Sequence, residues 1–146
     1  MFIVIGIGGD IVIFRNEYYF LSNMYPCQIH LRRYNYYTFQ CVESAYQAFK
    51  CPDRLEEFLY LNGYEAKKLG KQVTVRYDWN SVKRDIMKFL LIYKFTQNPY
   101  LGERLINMQE EIVEENTWGD TYWGVCRGVG ENMLGKLLME VRESLH

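Results

Sequence analysis

Histidine is scarce in this chain: its 146 residues include only His30 and His146. Neither lies in a cluster of acids and aromatics. A Ser–His or Cys–His nucleophile therefore has no support, and acid–base work falls to Asp, Glu or Lys. The four cysteines, Cys27, Cys41, Cys51 and Cys126, show no CxxC spacing. With so few imidazoles beside them, no metal site and no cofactor is expected, and the thiols read as reduced and buried. No long apolar run is present either. The stretch from Phe2 to Ile13 is interrupted by Gly6, Gly8, Gly9 and Asp10 and follows no basic segment, so it reads as neither a membrane span nor a secretory signal. No membrane partner and a cytoplasmic location are expected. Charge of one sign is lacking as well: 17 Lys and Arg face 18 Asp and Glu. Without a basic stripe, broad binding to a nucleic-acid backbone is not encoded, although a single nucleotide or one exposed base remains a possible ligand.

What is abundant is aromatic, with 13 Tyr, 8 Phe and 3 Trp. Only three prolines occur, and no repeat or linker divides the chain, so one domain over 1–146 is expected. Phe2 to Ile5 and Ile11 to Phe14 read as strands joined by a glycine turn, and Ile29 to Arg32 and Tyr36 to Phe39 as a second pair. From Cys41 the period becomes helical, with Val42, Ala45, Tyr46 and Phe49 on one stripe. Further helices are expected over Arg54–Leu61 and over Glu65–Leu69, the latter closed by Gly70. A longer helix, capped by Asp78 or Asn80, places Val82, Ile86, Leu90 and Tyr93 inward. Another starts at Pro99, and a last one, opened by Asn132, carries Leu134, Leu137, Leu138 and Val141. Glu111 to Glu115 is readable as strand or as helix tail. The sum is a helix-rich α+β domain with a small N-terminal β-sheet.

Gly6-Ile7-Gly8-Gly9-Asp10 has a superficial likeness to a dinucleotide fingerprint but is followed by a β-type run rather than a helix, and it reads as a turn. More informative is the face opposite the Val42 stripe, where Glu43, Gln47 and Lys50 stand at i, i+4 and i+7. It is either a solvated polar face or a pocket wall offering a carboxylate, an amide and an ammonium. The segment from Glu114 to Gly124 holds Trp118, Tyr122 and Trp123 among acids and glycines with no regular period. Exposed tryptophan forfeits a large burial energy, so this loop either folds inward or stacks on a flat ligand. Carboxylates beside aromatics suit glycosidic cleavage, whose oxocarbenium-like transition state is stabilised by a nearby anion.

These clusters, in this order, resemble the NADAR family, which includes the YbiA-like N-glycosidases. The matching pieces are Leu21-Ser22-Asn23-Met24-Tyr25-Pro26, Val42 through Lys50, Tyr77-Asp78-Trp79 with Met87, and Lys94-Phe95 with Gln97. They continue with Glu115, Asp120 with Tyr122-Trp123-Gly124, and Gly130 through Met139. The resemblance implies hydrolysis of an N-glycosidic bond to ribose without a metal. Family substrates are ribosylated pyrimidine intermediates of early riboflavin synthesis or, for some members, ADP-ribose on guanine bases. It also implies the site residues. Glu43 or Asp120 would supply the carboxylate that stabilises the sugar cation or activates water. Lys50 or Lys94 would grip a phosphate or attack as an amine. Trp79, Trp118 or Trp123 would stack on base or ribose, and Gln47, Glu115, Gly124, Asn132, Ser22 and Asn23 would complete the substrate-binding set. Two positions depart from the family pattern: Ser44 stands where a histidine is usual, and Met24 where Phe is frequent. The expected partner is a small ribosylated or ADP-ribosylated substrate, with a single base in nucleic acid as an alternative. A module that binds ADP-ribose or a nucleotide without turnover is the competing reading from another class.

Overall fold

The computed structural model describes residues 11–33 and 36–146. The strand expected at Phe2 to Ile5 and the glycine turn after it lie outside the described residues. The chain divides into two compact units. One is continuous, Asn23–Leu101, and the other combines the residues through Ser22 with Gly102–His146.

The continuous unit begins with a hairpin, β2 (Ile29–Leu31) and β3 (Tyr37–Phe39), paired antiparallel with Ile29 opposite Phe39. Alternation sends Ile29, Leu31 and Phe39 into the core. His30, between them, has both backbone groups held by the Gln97 amide, each at 2.8 Å. Helix α1 (Val42–Phe49) follows, and all eight of its residues are buried, the polar ones included. Its first turn is closed by Ser44, whose hydroxyl accepts from the Cys41 N–H at 3.2 Å and donates to the Cys41 carbonyl at 2.9 Å. The next segment, Pro52–Phe58, is a 3-10 helix with a break at Arg54, where the sequence pattern suggested an α-helix. Proline at its start and the non-helical Arg54 backbone account for the difference.

Asn62 caps α2 (Gly63–Gly70), which starts two residues before the expected Glu65. Its side chain accepts from the Glu65 N–H while the Glu65 carboxylate accepts from its own, a reciprocal capping box. Helix α3 (Trp79–Gln97) begins after Asp78, as expected, but Asp78 does not cap it through its side chain. Its carboxylate is engaged by the Arg76 guanidinium at 2.6 and 2.9 Å. The buried face of α3 carries Trp79, Met87, Leu90, Leu91, Lys94 and Phe95. That corrects the expected face, of which Leu90 is fully buried and Val82, Ile86 and Tyr93 only flank it. The buried face lies about one position further along the chain than the expected one, because it includes a lysine that apolar periodicity does not mark.

In the other unit, a 3-10 helix (Asn16–Leu21) buries Phe20 and Leu21. The Arg104 guanidinium lies 3.9 Å from the centre of the Phe20 ring, a cation–π contact. Arg104 belongs to α4 (Pro99–Ile106). Strand β1 (Ile11–Val12) pairs in parallel with β4 (Glu111–Ile112), and β5 (Glu115–Asn116) pairs in parallel with β6 (Val125–Cys126). Helix α5 (Met133–Ser144) packs on β4 and buries Leu134, Leu137, Leu138 and Val141, the stripe read from sequence. The fold is therefore helix-rich α+β, with the strands spread more widely along the chain than its N-terminal third.

Candidate active site

The buried polar side chains of the continuous unit gather around α1. Glu43 is 9% exposed and Gln47 4%. The solvated-face alternative does not hold for either. One helical turn apart, they meet: Gln47 Nε2 donates to Glu43 Oε1 at 2.7 Å. The other end of that amide, Gln47 Oε1, is buried without a hydrogen-bond partner. It lies against Gly70 of α2, where an added Cβ would sit 1.9 Å from it. The Glu43 N–H donates to the Asn23 carbonyl at 3.0 Å, and Asn23 Nδ2 reaches the Met87 sulfur at 3.5 Å. Position 44, where an imidazole is usual in the resembling family, is occupied by a hydroxyl spent on the cap of α1.

Lys50, just past α1, is half-buried, with its Nζ 5.8 Å from the Tyr46 ring centre. Tyr46 in turn stacks on Trp79 at 5.0 Å between centroids, tilted by 53°. Burial lowers the Lys50 pKa. Glu43 opposes that shift, while the ammonium groups of Lys67, Lys83 and Lys71 add to it. Three lysines distant in sequence thus bear on Lys50, a basic grouping that no linear stretch of sequence displays.

Lys94 is 0% exposed. Burial brings its pKa down to about 8, against the opposing influence of the Cys27 and Cys41 thiols, whose own pKa values burial raises. Its Nζ lies 5.8 Å from the Tyr25 ring and 5.2 Å from Phe95. Among the expected site residues, Glu43, Gln47, Lys50, Trp79, Lys94 and Asn23 all belong to this unit.

The remaining ones belong to the other unit. Asp120 Oδ1 accepts from the backbone N–H groups of Tyr122 and Trp123 at 3.0 and 2.9 Å, which folds the loop around the aspartate. Asn116 supports the same loop, accepting from the Trp118 and Asp120 N–H groups and donating to the Asp120 carbonyl. Trp123 is half-buried and edge-on to Tyr122, whereas Trp118 is 61% exposed, so the inward reading does not apply to Trp118. Glu115 is exposed, and Gly124 is buried against the Glu114 carboxylate, where a Cβ has no room. Asn132 is buried with both ends of its amide committed, accepting from Glu114 N–H and donating to the Ile112 carbonyl at 2.9 Å each. Ser22 closes the 3-10 helix, its N–H donating to the Tyr19 carbonyl.

Sequence reasoning passed over Tyr46, read as part of an apolar stripe, and Gly70, read as a helix terminator. Gly70 was detectable as a glycine inside a helical pattern, a costly choice that asks for a packing reason. Lys67, Lys71 and Lys83 carried no signal, because only the packing of α2 and α3 on α1 assembles them.

A family model described as the NADAR domain matches residues 13–146, a match that runs through both units. The chain belongs to the NADAR family. Among curated relatives of this NADAR protein, an N-glycosidase of Nostoc punctiforme is 33% identical over 133 residues, covering 85% of this chain and 83% of the relative. A riboflavin biosynthesis protein of Vibrio vulnificus is 34% identical over 132 residues, covering 86% of this chain but 35% of the relative. The N-glycosidase YbiA of Escherichia coli is 42% identical over 72 residues, covering 49% of this chain and 45% of the relative. The NADAR chain thus spans about a third of the Vibrio protein. The solved NMR structure of YbiA superposes with a TM-score of 0.81 at 30% identity, covering 97% of this chain and 88% of that one.

Among the described residues, no helix is long and apolar enough to cross a membrane. Among the same residues, no group of three or more His, Cys, Asp or Glu is placed to hold a metal ion. A surface concavity of about 410 Å³ in the continuous unit, bordered by Arg33, Tyr37, Arg54 and Glu56, contains none of the expected site residues. Two hydrogen bonds run between side chains on its border, Tyr37 donating to Glu56 and Arg54 to Glu57.

Proposed function

We propose that this NADAR protein hydrolyses the N-glycosidic bond of a small ribosylated, phosphate-bearing metabolite of the pyrimidine type. The observation that carries the reading is Glu43: a carboxylate withdrawn from water, held by an amide N–H, in the α1 segment that also bears Lys50 and the Tyr46–Trp79 stack. As the C1′–N bond breaks, positive charge develops on the ribose, and a buried carboxylate stabilises it more strongly than one in water. Water then adds to C1′ and the base departs with a proton. Glu43 is preferred to Asp120 as that carboxylate because Asp120 Oδ1 already accepts two backbone N–H groups of its own loop. Lys50 is preferred to Lys94 for phosphate contact because Lys50 retains exposed surface and Lys94 has none. The N-glycosidase names of the Nostoc and Escherichia relatives support the reaction class.

The lysine grouping supports a second reading as well. Lys50, Lys67, Lys71 and Lys83 offer enough positive charge for a diphosphate, so an ADP-ribosyl group on guanine is the competing substrate. Release of free base from a ribosylaminopyrimidine phosphate and of free guanine from its ADP-ribosyl adduct, measured side by side, separates the two. In the same assay Glu43→Gln should lower turnover by at least about 100-fold while calorimetric binding persists. A wild-type protein that binds both ligands and cleaves neither would instead be a binding module.

A further inference from the structure

Gly70 occupies the last position of α2, with Lys71 after it still right-handed. Among the described residues, the glycines with positive φ are Gly119, Gly128 and Gly130, so backbone conformation does not demand glycine at 70. Alanine would favour the helix more. What demands glycine is space. A methyl group at 70 would lie 1.9 Å from Gln47 Oε1 and 2.8 Å from its Cδ, and the clash is with this one side chain. Gln47 Oε1 receives no hydrogen bond there. The amide is therefore held on that side by shape alone, and on the other by the Nε2 bond to Glu43. Reversing the amide would set its oxygen against a carboxylate oxygen, so the donor end must face Glu43.

We propose that Gly70 is a positioning residue for the glycosidic reaction: its bare Cα is the seat that keeps the Gln47 amide turned toward the Glu43 carboxylate. The inference rests on the reading of Glu43 given above. Gly70 touches no substrate; it acts through Gln47. A methyl group there pushes the amide off its seat, and Glu43 loses a donor that holds it in one orientation.

The test is a double-mutant cycle on the full chain, assayed by base release from a ribosylaminopyrimidine phosphate. Gly70→Ala and Gln47→Ala are each expected to lower kcat by roughly 10- to 100-fold with KM little changed. The double variant should be no slower than Gln47→Ala alone, because the group that the methyl displaces is gone. Multiplying losses in the double variant, or an unchanged kcat in Gly70→Ala, would overturn the proposal. Should Gly70→Ala fail to fold, the double variant must recover folding, and its failure to do so counts against the seat. An activity-independent readout separates this inference from the reaction it serves. The Gln47 side-chain amide protons, assigned by their loss in Gln47→Ala, should exchange slowly in the wild type and quickly in Gly70→Ala. Fast exchange in both refutes the seat even if Glu43 is catalytic. A wild-type protein with slow exchange and no turnover refutes the reaction alone.

Discussion

An ammonium shut away from water costs free energy, and Lys94, with no exposed surface, bears that cost inside an otherwise apolar face of α3. Its pKa of about 8 fixes the sign of the pH dependence. The folded value lies below that of the unfolded lysine, so the penalty is fully present below pH 8. It is relieved as pH rises toward 10.5, where the unfolded chain also loses the proton. The shift corresponds to roughly 3 kcal/mol at neutral pH. Lys94→Met is thus expected to denature at higher urea than the wild type at pH 7, with the difference shrinking by pH 10. A constant difference across that range would contradict the assignment. Lys50 makes the opposite demonstration. Its neighbours Lys67, in α2, and Lys71, just past it, belong to none of the motifs, yet the pair Lys67→Ala and Lys71→Ala should raise KM for a phosphorylated ligand several-fold at low salt. Salt should weaken the wild type toward the variant. Glu43, Gln47 and Lys50 could be singled out from their spacing. The lysines around them were not legible, because their grouping is a product of tertiary packing.

At the scale of elements, α1 shows what periodicity reveals and what it conceals. The Val42, Ala45, Tyr46 and Phe49 stripe is correct, but a helix buried on every side leaves no polar face to mark its exposure. Whether Glu43 and Gln47 face water is decided by what packs over them. The same limit displaced the inward face of α3 by about one position, since a buried lysine looks like a surface residue in any hydropathy pattern. The start of α5 was legible at Asn132, though its geometry was not. Asn132 adopts a left-handed backbone, φ 52° and ψ 42°, while its amide links the Ile112 carbonyl and the Glu114 N–H. Asn132→Ala loses one buried and one partly buried hydrogen bond and adds a conformational penalty at positive φ. A destabilisation of roughly 2–3 kcal/mol is expected by thermal or chemical denaturation. Asn132→Gly, which removes the backbone penalty but not the loss of the bonds, should fall between the two. An unchanged melting point in Asn132→Ala would show that the side chain does not anchor α5.

For the molecule as a whole, composition and helical pattern conveyed the α+β class, while the two compact units arise from tertiary contacts. Asn23–Leu101 forms one unit without interruption, and the segments on either side of it form the other. No linker-like stretch of Pro, Gly or Ser marks the boundaries at Ser22 and Leu101, and the second of them falls inside α4. Helix α5 contributes Leu134, Leu137, Leu138 and Val141 to the second unit, all buried. Each such side chain is worth roughly 1.5–3 kcal/mol, so together they rival the net stability of a typical domain. A chain ending at Glu131 is therefore expected to lose the cooperative thermal transition of that unit. Retention of a full two-state transition by circular dichroism would show that the helix is dispensable.

The parallel pairing of β1 with β4 joins Ile11 to Glu111. On the ribosome, β1 emerges long before its partner strand exists, by about 5–20 s at ordinary elongation rates of 5–20 residues per second. During that interval the whole of Asn23–Leu101 is delivered to solution, while Ile11 and Val12 have no ladder to join. Vectorial synthesis thus orders the assembly. The segment carrying Glu43 is free to condense first, and the flanking unit closes only as the last helix leaves the exit tunnel.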